Sequence, residues 1–348
     1  MPITDSINSI CQTLSDYEYY HSESFVAQNG EAGIQPHHVE RWLEQFDGAK
    51  REDFARAFAK VLRKSYLSKE TIKDRLSVIV RKNKNYLNCC SLLDIQINGE
   101  SQSRLIYDFV IPQANELSIQ YSVNDNLKKC FLYIDDVVFS GGRVSEDIIE
   151  WINKFAPMSC NIVLYFVCSY SYGVYNINKR LNEAIKASGK KIEYKIVCED
   201  YRKNNRIVRD VTDILHPREV PPEAASFYEE INNAPRYPIL RTYQQSGPSP
   251  FFESEAERAL LEEQFVIAGI RILSQLTNRG NWKPLGLEGF PSFGFGSTIV
   301  TYRNCPNISP LALWWGEQSD SSIWYPLVPR KGYNKPENPF AGLFDEEV

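Results

Sequence analysis

Apolar positions recur at helical spacing early in the chain and later give way to short continuous runs. Val39, Trp42, Leu43 and Phe46 form one stripe. After the Asp47-Gly48 break, Phe54, Ala57, Phe58, Val61 and Leu62 form a second. Behind Ser68, a candidate N-cap, Ile72, Leu76, Ile79 and Val80 form a third. This spacing predicts a compact helical unit over about 36–83, preceded by a polar lead-in (1–35) with one weak helix near Ile7–Leu14. The period then changes. Leu92–Ile97, Phe131–Ile134, Asn161–Val167 and Ile192–Val197 read as buried strands. Between them lie helical stretches from Leu105, from Ile148 to the stop at Pro157, and over Tyr175–Ser188, closed by Gly189. Strand–helix alternation with short loops predicts an α/β fold with a parallel, doubly wound sheet and right-handed crossovers.

Proline-rich 218–250 reads as a linker with turns, and Ser254 caps a helix reaching to about Gln275. Gly-aromatic alternation in GFPSFGFGSTIVTY (289–302) predicts short strands and close backbone approaches. Trp314, Trp315 and Trp324 read first as packing anchors, with a base-stacking lid as the alternative. The expected divisions are a helical unit (1–85), an α/β domain (86–218), and a linker, helix and aromatic extension (219–348).

Composition narrows the function classes. At 348 residues with 43% hydrophobic and 13% aromatic content, the chain can build two or three packed units, and global disorder is excluded. A net charge of −5 gives no overall basic field for nucleic acid, although Lys64, Lys69, Lys73, Arg75, Arg81, Lys82 and Lys84 make one helix end basic. That end reads as a solvated face, with a nucleic-acid contact as the alternative. The eight cysteines show no CxxC pair and no zinc spacing, and His37-His38 lack ligand-spaced partners, so both histidines are expected at the surface. With no leader pattern and no 18-residue apolar run, the expectation is a soluble, reduced, cytoplasmic protein without membrane contact.

The candidate chemistry concentrates in KKCFLYIDDVVFSGGRVS (128–145). An apolar run meets the adjacent carboxylates Asp135 and Asp136, then the turn Ser140-Gly141-Gly142, then a helical pattern opening near Ser145. Glycines let backbone N–H groups approach phosphate oxygens, and a helix start adds partial positive charge. The carboxylates can accept from a ribose diol or help hold hydrated Mg²⁺. The plainer reading is a strand–turn–helix corner with solvated acids. Asn98-Gly99-Glu100-Ser101-Gln102 forms a second such corner, readable also as an ordinary capped turn. Two corners on neighbouring parallel strands would lie at the carboxyl edge of one sheet, where α/β proteins bind ligands. SYSYG (169–173) ends its strand at the same edge.

The 131–143 stretch resembles the phosphoribosyl pyrophosphate loop of type I phosphoribosyltransferases. That resemblance implies ribose contacts by Asp135 and Asp136, a 5′-phosphate cradle of Ser140, Gly141 and Gly142, and a pyrophosphate loop of Gly99, Ser101 and Gln102. Phe139 stands where many purine-type members carry an acidic general base, and Arg143 replaces the closing Thr but can hold phosphate as a cation. Tyr121–Lys129 is too short for the long flap that catalytic members place between the loops. More narrowly, VERWLEQF (39–46), QINGESQ (96–102), FLYIDDVVFSGG (131–142), FGFGS (293–297), SPLALWW (309–315) and WYPLVPR (324–330) resemble the phosphoribosyltransferase-like PRTase-CE family of bacterial conflict systems. Membership implies an anti-phage role with a protein partner from the same system. It also implies Mg²⁺-dependent binding of a ribose phosphate or nucleotide, with transfer or hydrolysis at C1′. The alternatives are a non-catalytic nucleotide sensor of the same fold and, more remotely, a nucleic-acid-binding adaptor.

Overall fold

The computed structural model describes residues 2–204, 211–233, 235, 237–242, 249–319 and 322–330. The described chain forms two compact units, Met1–Lys69 with Arg206–Val348, and Glu70–Asn205. The expected three-part division differs from this, because both ends of the chain contribute to one core.

The second unit contains a five-stranded, wholly parallel sheet. Its strands are β1 (Cys90–Leu93), β2 (Ser122–Val123), β3 (Cys130–Val138), β4 (Ser159–Tyr170) and β5 (Lys191–Arg202), in spatial order β2-β1-β3-β4-β5. The order reverses between β1 and β3. With crossovers of one hand, the 101–116 helical segment and the later helices therefore lie on opposite faces, and a crevice opens at the carboxyl ends of β1 and β3. Phe131, Tyr133, Ile162, Leu164 and Phe166 supply the sheet side of the main core. Val144, Ile148, Trp151 and Ile152 of Gly142–Lys154, with Ile177 and Leu181 of Ser171–Ser188, cover it. Gly189 closes the latter helix at φ +67, as its position after the last apolar residue predicts.

Two strand boundaries depart from the sequence reading. β1 stops at Leu93, not Ile97: the Gln102 carboxamide Oε1 takes the N–H groups of Ile95 (2.7 Å) and Gln96 (3.0 Å), so these residues leave the ladder. β3 runs on to Val138, with Asp135 and Asp136 inside it, and the following helix starts at Gly142 rather than near Ser145. Between Ser101–Leu105 and Ile111–Glu116 the helix widens by one residue per turn over Ile106–Val110, just before Pro112. Proline lacks the N–H for the Asp108 carbonyl, and its ring crowds that carbonyl, so the widened turn relieves the contact.

The first unit is built around aromatic side chains. The helices Pro36–Glu44, Arg51–Ser65 and Glu255–Ser274 bring together Trp42, Phe46, Phe54, Phe58 and Phe265, and Trp324 packs edge-on to Phe46. Trp314, Trp315 and Trp324 are buried, as packing anchors should be, and the indole N–H groups of Trp42 (2.7 Å) and Trp324 (2.8 Å) both donate to Ala312 O. The lead-in is more than a polar segment. Ile3–Thr13 is helical, and Ile7, Ile10, Leu14, Tyr17 and Tyr20 are core residues, with Tyr17 Oη donating to Pro329 O at 2.7 Å.

His38 corrects the surface expectation. It is buried with Nδ1 on the Tyr325 hydroxyl, whereas His37 is exposed. The 218–250 stretch holds a helix over Ala225–Ile231 as well as turns; 243–248 lie outside the described residues. Among the described residues the tail forms one two-residue strand, Val300–Thr301, paired with Tyr66–Leu67, fewer strands than its pattern suggested. Its glycines do make close backbone approaches. Gly296, at φ +78, lies against Leu215, with Leu215 N donating to Gly296 O at 2.8 Å.

Candidate functional site at the switch point of the sheet

β1 pairs with β3 only as far as Leu93↔Tyr133, while β3 continues to Val138 along β4. Among the described residues, the Ile134–Val138 segment therefore has no strand beside it on the β1 side, and Ser101 and Gln102 contact its first two residues. Gln102, fully buried, donates Nε2 to Ile134 O at 3.3 Å while its Oε1 holds the loop backbone. Its amide is thus committed to positioning the loop. Ser101, half-buried, donates Oγ to Asp135 Oδ1 at 3.1 Å and pairs with the Gln96 carboxamide. Gly99 is exposed at φ +104, a conformation that favours glycine.

Asp135 and Asp136 are 4% and 9% exposed, so they are not the solvated acids of the plainer reading. Asp135 Oδ1 also accepts from Asp136 N at 2.9 Å, and Asp136 Oδ1 accepts from Val137 N at 2.8 Å. Strand alternation directs adjacent side chains to opposite faces. The two carboxylates therefore act as separate acceptors, not as a proton-sharing pair.

The second corner, Phe139–Gly142, is set by two glycines. Gly141 adopts φ +74 as the helix N-cap, and a Cβ there would meet Gly173 O at 2.4 Å. A Cβ on Gly173 would meet Phe139 O at 2.3 Å. The turn therefore lies backbone-to-backbone against the start of Ser171–Ser188. Asn176 Nδ2 donates to Ser140 O at 2.9 Å, and Arg180 Nη1 to Gly142 O at 3.1 Å. Ser140 and Arg143 are exposed and Gly142 is half-buried, at the start of a 13-residue helix whose first N–H, that of Gly142, donates to Ser140 Oγ at 3.5 Å. The Arg143 guanidinium reaches the first corner: Nη1 would lie 3.8 Å from a Cβ at Gly99. Phe139 stacks on Tyr170 with ring centroids 6.0 Å apart, so no proton-transfer group stands at that position.

Asp147 was not singled out by the sequence, yet it joins the two corners. One turn into the Gly142–Lys154 helix and buried, it accepts from Ile97 N (3.0 Å, Oδ1) and Tyr133 Oη (3.0 Å, Oδ2). Burial pushes its carboxyl above the usual range, against the two hydrogen bonds and Arg143. A Tyr at 133 two residues before the acidic pair, with an Asp at 147, is the only signal that could have pointed to it. Tyr121–Lys129 forms β2 and a tight turn, fastened to the first loop by Asn124, whose Oδ1 accepts from Asp94 N and whose Nδ2 donates to Asp94 O, each at 2.9 Å. Among the described residues, no cluster of three or more His, Cys, Asp or Glu side chains could enclose a metal ion. No described helix is long and apolar enough to cross a membrane.

Residues 39–330 match the family model PRTase-CE. No curated protein matches the sequence. Among solved structures, the xanthine-guanine-hypoxanthine phosphoribosyltransferase of Helicobacter pylori aligns at 12% identity over 40% of this chain and 89% of its own, with a TM-score of 0.24.

Proposed function

The chain belongs to the PRTase-CE family, and on that premise we propose that it binds a ribose phosphate, either phosphoribosyl pyrophosphate or a nucleotide, in the crevice between the 96–102 and 139–143 corners. The observation that carries this reading is the meeting of the two corners at the point where strand order reverses, with buried Asp135 and Asp136 beside them and Arg143 spanning both. Asp135 and Asp136 accept from the ribose hydroxyls. Ser140, the Gly141–Gly142 backbone and Arg143 hold the 5′-phosphate, and Gly99 and Ser101 face the diphosphate, with Gln102 holding their loop in place.

The donor set suits Mg²⁺ carried in by the ligand: one or two carboxylates plus phosphate oxygens are its usual arrangement, and bound Mg²⁺ would neutralise diphosphate charge. Reaction at C1′ breaks the bond to the leaving diphosphate or base, and an incoming base nitrogen or water oxygen takes its place. Positioning and electrostatics carry most of such chemistry, so the absence of a base at Phe139 does not preclude it. We further propose that the protein acts in a bacterial conflict system with a protein partner, as its family resemblance implies.

A non-catalytic nucleotide sensor is the second reading. Phe139 on Tyr170 and the short, fastened 121–129 segment favour it, since the first offers no proton-transfer group and the second is shorter than a closing flap. Calorimetric titration of phosphoribosyl pyrophosphate and common nucleotides, with and without Mg²⁺, tests both readings when products are followed on the same samples. Asp135→Asn and Asp136→Asn are each expected to weaken binding by roughly tenfold or more, the cost of a charge-assisted hydrogen bond. Binding with product, both lost in the variants, supports an enzyme. Binding without product supports the sensor, and no binding to the wild type rejects the site.

A further inference from the structure

Among the described residues, β5 ends the sheet, and its ladder hydrogen bonds go to β4. It is 12 residues long, KIEYKIVCEDYR, without proline or glycine, and its register with β4 keeps one offset from Ser159↔Lys191 to Tyr170↔Arg202, so no bulge turns it away. Lys191, Glu193, Lys195, Glu199 and Tyr201 are exposed, Tyr201 at 54%. A long, regular edge offers outward N–H and C=O groups to another strand, and native proteins usually shorten, bend, interrupt or charge such edges. Here the edge is left regular and its charges alternate in sign.

We propose that β5 pairs antiparallel with β5 of a second copy about a twofold axis at Val197, extending the sheet through a dimer. In this register Lys195 lies opposite Glu199 of the other copy, twice by symmetry, with Glu193 opposite Tyr201, Tyr194 opposite Asp200 and Ile196 opposite Cys198. No like charges face each other between Ile192 and Arg202. Sliding the strands by two residues one way sets Glu193 against Glu199; sliding them the other way sets Lys195 against Tyr201 and loses both ion pairs. The charge pattern thus selects one self-complementary register, and main-chain pairing supplies the association.

Sedimentation velocity of the full chain over about 1–100 µM tests this, with far-UV circular dichroism to check the fold. The wild type is expected to dimerise. K195E puts two like-charge pairs in the interface and should weaken the dimer about tenfold. Glu199 also neighbours the Tyr165 hydroxyl, so E199K serves mainly as the mixing partner. An equimolar mixture of K195E and E199K restores unlike charges at both positions and should regain the wild-type dimer. A wild type that stays monomeric over this range overturns the proposal. So does a dimer indifferent to K195E, or a mixture no tighter than its components.

Discussion

Tyr325 Oη meets Nδ1 of His38, and the other ring nitrogen, Nε2, is buried with no hydrogen-bond partner among the described residues. Burial lowers the imidazole from its ordinary value near 6.5 to about 4, with smaller contributions from His37 and Arg41. The unfolded chain therefore binds more protons than the folded one between these values. Stability is full above pH 6.5 and is lost as pH falls toward 4, by an amount of order 2–3 kcal/mol. His38→Gln cannot titrate, and its urea midpoint should vary less with pH than the wild type's across that window; equal slopes would contradict this account. The same residue shows a limit of sequence reading. His37-His38 looks like a surface pair from composition, and only the face of the Pro36–Glu44 helix separates an exposed ring from a core one. Asp135 and Asp136, by contrast, were legible because a short strand, two acids and a glycine turn follow one another in the chain. Asp147 was not, because its partners Ile97 and Tyr133 are distant in sequence and on other elements.

Between elements, the Gly141–Gly173 contact decides where the 139–142 corner sits. Neither glycine tolerates a Cβ without moving backbone, and Gly141 also needs positive φ. Gly141→Ala should lower stability by about 2–4 kcal/mol, read as a drop in melting temperature, and should weaken ligand binding beyond what the residual fold explains. Gly173→Ala should match it in stability, although Gly173 belongs to the next helix and the sequence offered it only as part of a strand end. A melting temperature unchanged in both variants would show that the helices slide apart freely. Strand and helix existence followed the apolar periods closely through this unit. Their ends did not, because side chains such as Gln102 end a strand by capturing its backbone N–H groups, and periodicity carries no record of that.

Across the whole molecule, residues 1–69 share a core with the C-terminal half, so the N-terminal helices are not an independent domain. Phe46 and Phe54 pack on Phe265, Trp42 donates to Ala312, and Lys50 (2.7 Å) and Lys60 (2.9 Å) pair with Glu263 and Glu257 on the Glu255–Ser274 helix. Beneath these, buried Arg258 and Arg241 hold opposite oxygens of Glu262, and Arg258 also donates to Thr212 and Ile214 carbonyls, fixing the 212–216 segment. Residues 1–85 produced alone should give no cooperative thermal transition, while the full chain should melt cooperatively; a sharp transition in the short chain would restore the sequence-based boundary. By itself the sequence determined the α/β alternation, the helical stripes and the strand–turn–helix corners at 96–102 and 131–143, because these rest on local period and on residues adjacent in the chain. Tertiary structure alone decided that the two chain ends form one core, that the strand order reverses between β1 and β3, and that Arg143 and Asp147 join the two corners. Those depend on contacts between residues far apart in sequence, where no local pattern distinguishes one partner from another.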